Sequence, residues 1–168
     1  MAEKRAIGLL SIELGAIAGD GGIATTFASL GVTYQDSAEL MQADNNITEI
    51  FSEENDDAEE VIEVMGGKTL KWSVMNIDPD NLVLILGGTA TGTAPNKTWE
   101  APDTRSQIEK SVRVKTKTNQ TIDIPRAKIM AKINWKFSKK GVALIDITAK
   151  VLKPTKAGVA SLKIYPSV

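Results

Sequence analysis

The chain has 168 residues, 42% of them apolar and 24% charged, a globular composition long enough for one domain with a core of its own. It contains no Cys and no His, which excludes zinc centres of the usual kind, thiol nucleophiles, haem attachment, serine triads and imidazole general bases. Net charge is only −1, yet residues 1–103 carry 18 acidic and 5 basic side chains and residues 104–168 carry 3 and 15, a split of −13 against +12 that in one folded domain gives opposed faces or a polar body suited to head-to-tail self-contact.

The start, MAEKRAIGLLSIELGAIAG, imitates a secretory signal, with Lys4 and Arg5, an apolar stretch and Ala16-Ile17-Ala18 as a mock cleavage site. Glu13 in the middle of the apolar stretch is costly for translocation, so the segment is read as an N-terminal strand of a protein kept in the cytosol until assembly or release. Residues 15–31, rich in Gly, Ala and Thr, are expected to be irregular, with Gly19-Asp20-Gly21-Gly22 as a turn.

Ile47 to Phe51 and Val61 to Met65 read as strands. Between them Ser52 to Glu60 holds six carboxylates in nine positions (Glu53, Glu54, Asp56, Asp57, Glu59 and Glu60), and Glu63 adds a seventh. No core strand tolerates that density, so a solvated hairpin tip or loop is expected. Calcium is a weak reading, because the EF-hand spacing and its central glycine are missing; self-contact and simple solvation both stay open.

In KTLKWSVMNI, Leu70, Trp72 and Val74 share one face of a strand. The next stretch, NIDPDNLVLILGGT, is the one helix expected, over about 78–86. Asp78 is placed to cap it, Pro79 fits its first position, Asp80 suits the positive end of the dipole, and Gly87 supplies a left-handed stop. Leu82, Ile85 and Leu86 make the expected stripe, but Val83 and Leu84 lie off it and are as apolar, so this helix is greasy all round and should be buried all round.

Gly87-Gly88-Thr89 follows a helix, with no lysine close by, and fails as a phosphate cradle. Asp78 and Asp80 are explained by capping without a glycosidase cleft. Trp99, between Thr98 and Glu100, is expected to be partly exposed or at an interface.

The second half alternates clearly. Val112 and Val114 oppose Arg113, Lys115 and Lys117, then Thr118-Asn119-Gln120 turns into a strand over Thr121 to Ile124. Ile129, Ala131, Ile133, Trp135 and Phe137 alternate with Lys128, Lys132, Asn134 and Lys136, which puts both aromatics in the core register. That register argues against a stacking platform for nucleic acid. Ser138-Lys139-Lys140-Gly141 is a turn into Val142 to Leu152, completing a hairpin.

The order of these elements resembles the major tail tube protein family of long-tailed bacteriophages. The matching pieces are ITEIFSEENDDAEEV, LKWSVMNIDPDNLVLILGGT, TWEAP and IDIPRAKIMAKINWKFSKKGVALIDITAKVLKP, together roughly Ile47 to Pro154. The resemblance implies one tail-tube-like domain over 1–168, a mainly β, antiparallel β-sandwich or flattened barrel with one short flanking helix. Six copies would form a ring, and rings would stack into a conduit through which DNA passes without specific binding.

It further implies a structural protein of the virion tail, made in the host cytoplasm, with no catalysis, cofactor, metal or membrane. Its partners would be itself and the tape-measure, tail-terminator and tail-tip proteins. The haemolysin-coregulated tube protein of type VI secretion shares the architecture and is the nearest alternative; a monomeric β-sandwich binding module is the other. On the family pattern Ser52, Glu53, Glu54, Asp56, Asp57, Glu59 and Glu60 become an inter-ring contact or a lumen lining that repels DNA phosphates. Asn81, Val83, Leu84 and Trp99 become contacts to a neighbour, and the charge segregation, rather than the family, suggests a basic counterpart among Lys110, Arg113, Lys115, Lys117, Arg126 and Lys128.

Overall fold

Thirteen elements follow one another along the chain in a computed structural model that describes residues 5–76 and 78–167. Met1–Lys4, including the lysine of the signal-like start, lie outside the described residues, as do Ile77 and Val168. The strands are β1 (Leu9–Gly15), β2 (Ala28–Ser29), β3 (Glu39–Gln42), β4 (Asn46–Phe51), β5 (Ala58–Val64) and β6 (Lys68–Val74). Helix α1 (Pro79–Leu86) comes next, then β7 (Thr89–Thr91), β8 (Thr98–Glu100), β9 (Ile108–Thr116), β10 (Gln120–Asn134), β11 (Leu144–Val151) and β12 (Lys163–Pro166).

The main sheet is antiparallel in the order β2-β1-β9-β10-β11-β6-β3. β12 pairs with Gln120–Asp123, on the edge of β10 that β11 occupies further along. Its two ends are drawn together by the chain itself: after β2 pairs with β1, Thr33 bridges to Val74 of β6, and the amide of Tyr34 donates to the Ser73 carbonyl at 2.8 Å. The result is a flattened barrel whose facing walls pack as a β-sandwich.

Alternation decides what lies inside. Leu70, Trp72 and Val74 of β6 meet Ile145, Ile147 and Ala149 of β11, Ile124, Ala127 and Ile129 of β10, and Val112 and Val114 of β9, all buried. Period-two patterning therefore reads the barrel walls correctly.

The strands expected at Thr121 to Ile124 and from Ile129 onward are one continuous strand. It passes through Pro125, which has no N–H to donate, at a register shift between Ile124 and Ala127, the kind of site that tolerates proline. The fully buried Ser111 hydroxyl stitches the irregularity: it donates to the Pro125 carbonyl at 2.6 Å and accepts the Ala24 amide at 3.0 Å.

The same strand stops at Asn134, before its expected end. Ile133 is 45% exposed and Phe137, beyond the last pairing, is 91% exposed, so Phe137 is not a core residue. Trp135 is half-buried, and its indole N–H has no hydrogen-bond partner among the described residues.

The helix begins and ends where expected, but Asp78 makes no side-chain cap; its own amide donates to Asn76 Oδ1 at 3.0 Å. Gly87, at φ 81, closes the last turn through its amide to the Val83 carbonyl. Leu82 and Ile85 are buried in the core, whereas Leu84 is 39% exposed, so this monomer covers only part of the apolar helix. The loop expected before Trp99 contains a small hairpin, β7 with β8.

Candidate self-assembly surfaces

β4 and β5 form a two-stranded sheet of their own, outside the barrel. This arm leaves the barrel from the pair β3/β6, where Gln42 faces Lys68. Its root is tight: the Ala43 amide donates to the Gly67 carbonyl at 2.9 Å and the Gly66 amide to Asn45 Oδ1 at 3.1 Å.

Along the arm, Ile47 faces Glu63, Glu49 faces Val61, and Ile50 faces Glu60. Each pair sets an apolar side chain beside a carboxylate. Ile47, Ile50, Phe51, Val61, Ile62, Val64 and Met65 are each between 44% and 68% exposed. An isolated two-stranded hairpin is marginal in water, and this one leaves its apolar side chains open on both faces.

The acidic loop is its tip. Glu53, Glu54, Asp56, Asp57, Glu59 and Glu60 are exposed and in no ion pair among the described residues, while the Ser52 hydroxyl donates to Glu59 Oε1 at 3.0 Å. Among the described residues no group of three or more carboxylates converges in a way that could hold a metal ion.

The helix candidates lie together at another place. Asn81 is half-buried, its Nδ2 donating to the Leu30 carbonyl at 3.2 Å, and Val83 and Leu84 face outward to different degrees. Trp99 is half-buried and its indole N–H donates to the Gly87 carbonyl at 2.9 Å, locking the helix end. The most exposed rings are instead Phe137, Phe51 and Tyr34, scattered over separate segments without a common platform.

The basic residues divide into two groups. Arg113 holds Asp123, Lys115 holds Glu13 at 2.9 Å, and Arg126 holds Glu109 at 2.8 Å, all within the chain. Hydrogen bonding to Arg126 keeps Glu109 below the ordinary carboxylate range and, reciprocally, raises Arg126. Lys110, Lys117 and Lys128 have no ion pair among the described residues, and Lys128 stands across from Lys150 on one side and Glu109 on the other.

Sequence reasoning did not find the cluster on the outer wall. Arg113 is clasped by Asp123, the Tyr165 hydroxyl donates to Asp123 Oδ2 at 2.8 Å, and the Phe27 ring lies 4.2 Å from the guanidinium carbon. These groups come from β9, β10, β12 and the irregular segment before β2. No local pattern signals such a meeting.

An open cleft of about 880 Å³ lies at one mouth of the barrel, lined by Leu9, Ile12, Tyr34, Leu40, Leu70 and Ile122 among others. It has a polar rim at Asp36, Glu39 and Lys117. No helix among the described residues is long and apolar enough to cross a membrane. No protein-family model matches the chain, and no curated protein matches it either.

Proposed function

We propose that the chain is a structural subunit of a phage or prophage tail tube, self-assembling into stacked homohexameric rings around a conduit for DNA. One observation carries the reading: the β4–β5 arm exposes seven large apolar side chains among carboxylates, outside the barrel and left open by the rest of the described residues. A second copy is the economical cover, since the chain also supplies a large excess of positive charge in residues 104–168.

Two further features support it. Leu84 stays open on a helix whose other apolar residues are covered to a greater degree, which suits a lateral contact. The order of elements resembles that of the tube family named above. In such a particle the subunit does no chemistry; edges and apolar arms that would promote aggregation of a monomer become contacts between subunits. Tape-measure, terminator and tip proteins would set the tube's length and start, and the virion tail would be its location.

Negative-stain electron microscopy of concentrated protein, with light scattering across salt concentrations, tests this. Rings or tubes with a central hole are expected, and salt should weaken their stacking. A strict monomer at every concentration and ionic strength would overturn the proposal in favour of a monomeric binding module.

A further inference from the structure

We propose that the loop between β10 and β11, residues 135–143, is the receptor for the acidic β4–β5 arm of the next copy, so that subunits join head to tail along the strand direction. This rests on the self-assembly reading and names the two surfaces that meet.

The first support is placement. Val74 faces Ile145 and Thr69 faces Lys150, while Asn134 faces Leu144. The 135–143 loop therefore emerges where β6 ends, and the arm, rooted at Gly66 and Gly67, emerges where β6 begins. The eight residues of β11 separate these ends by about 25 Å of strand. The arm and the loop of one molecule thus stem from opposite ends of β6, whereas a copy displaced along the strands can offer its loop to that arm.

The second support is chemistry. The loop carries Lys136, Lys139 and Lys140 with no acidic residue among them, and none is in an ion pair among the described residues. Phe137 stands almost fully in solvent between them, with Ile133 and Val142 exposed at 45% and 42% nearby. The arm presents the complement: Ile47, Ile50 and Val61 each stand opposite a glutamate, and the acidic tip lies beyond them. By contrast, Arg113, Lys115 and Arg126 on the wall are already held by carboxylates of their own chain.

Such a contact is heterologous: each copy uses its arm at one end and its loop at the other, so both remain open at the ends of a growing stack. It also gives the stack a polarity.

The test uses two full-length variants, Lys136→Glu/Lys139→Glu/Lys140→Glu in the loop and Glu53→Lys/Glu54→Lys/Asp56→Lys/Asp57→Lys in the arm. Circular dichroism and thermal melting first establish that each folds as the wild type does. At low salt each variant alone should lose stacking, and an equal mixture should recover it as alternating copies, read by sedimentation and electron microscopy. Phe137→Ser should raise the concentration needed for stacking about tenfold while leaving its salt dependence unchanged, as expected for an apolar anchor.

A loop variant that stacks like the wild type, or a mixture that does not recover, overturns the receptor role. Rings or tubes of wild-type protein in that case leave the tail-tube reading standing. A wild type that never associates overturns both.

Discussion

Arg113 and Asp123 face each other across β9 and β10 and form a two-toothed ion pair, Nε to Oδ1 at 2.7 Å and Nη2 to Oδ2 at 3.0 Å. Asp123 is 5% exposed, and it also accepts the Tyr165 hydroxyl, so one carboxylate ties three strands together. Asp123→Ala leaves a charged guanidinium and a phenol without their acceptor. Breaking one side of a buried pair costs about 3–5 kcal/mol; because Arg113 keeps access to water, the lower end is expected, about 3 kcal/mol by urea unfolding.

Tyr165 gives the same cluster a pH signature. Burial, then the hydrogen bond and charge of Asp123, push its phenol above the ordinary value of 10.0. The folded state thus favours the protonated phenol: this contribution to stability is complete below pH 10.0 and is lost as pH rises through the raised value. In a Tyr34→Phe background, ultraviolet titration should place the remaining tyrosine above 10.0 in folded protein and near it in urea. Tyr165→Phe should remove that part of the alkaline loss at a cost of about 1 kcal/mol near neutrality.

Much of the barrel was legible because half-buried strands alternate: Leu70, Trp72 and Val74, or Ile145 and Ile147, point inward as their parity requires. Parity gives a side of the sheet, not a depth. Phe137 keeps the register of Ile129, but the chain has left its pairing by then, and Ile47 and Val61 alternate like core residues on an arm that has no core. Pro125 hid the continuity of β10 because the bulge that accommodates it depends on Ser111 and Ala24, distant in sequence. The ion pairs of Arg113, Lys115 and Arg126 were hidden for the same reason, since a charge run does not say which of its members already have partners. The acidic tip was plain, as its composition allows no other environment.

Gly66 should control the arm separately from the barrel. A Cβ there would lie 1.9 Å from the Ala43 carbonyl oxygen and 2.5 Å from its carbon, contacts with backbone that no side-chain rotation relieves. Gly66→Ala is expected to splay the root of β4 and β5 and to speed cleavage of the arm by a glutamate-specific protease several-fold. The thermal transition of the barrel should move little, because the core residues lie elsewhere. Equal cleavage rates for variant and wild type would show that the root adapts.

Two contacts from the segment around β8 hold α1, and they differ in kind. Near the helix start Lys97 pairs with Asp80, both substantially exposed; at its end the Trp99 indole donates to the Gly87 carbonyl beside the core. An exposed ion pair is worth about 0–1 kcal/mol because water and salt compete for both charges. A part-buried hydrogen bond whose loss strands a helix-terminal carbonyl is worth about 1–2 kcal/mol. Lys97→Ala should therefore lie within about 0.5 kcal/mol of the wild type and become indistinguishable from it at high salt. Trp99→Phe, which keeps most of the ring but loses the N–H, should cost about 1–2 kcal/mol at any salt concentration. Chemical denaturation at low and high ionic strength separates them, and a salt-dependent Trp99→Phe would move the clamp from the hydrogen bond to the ion pair.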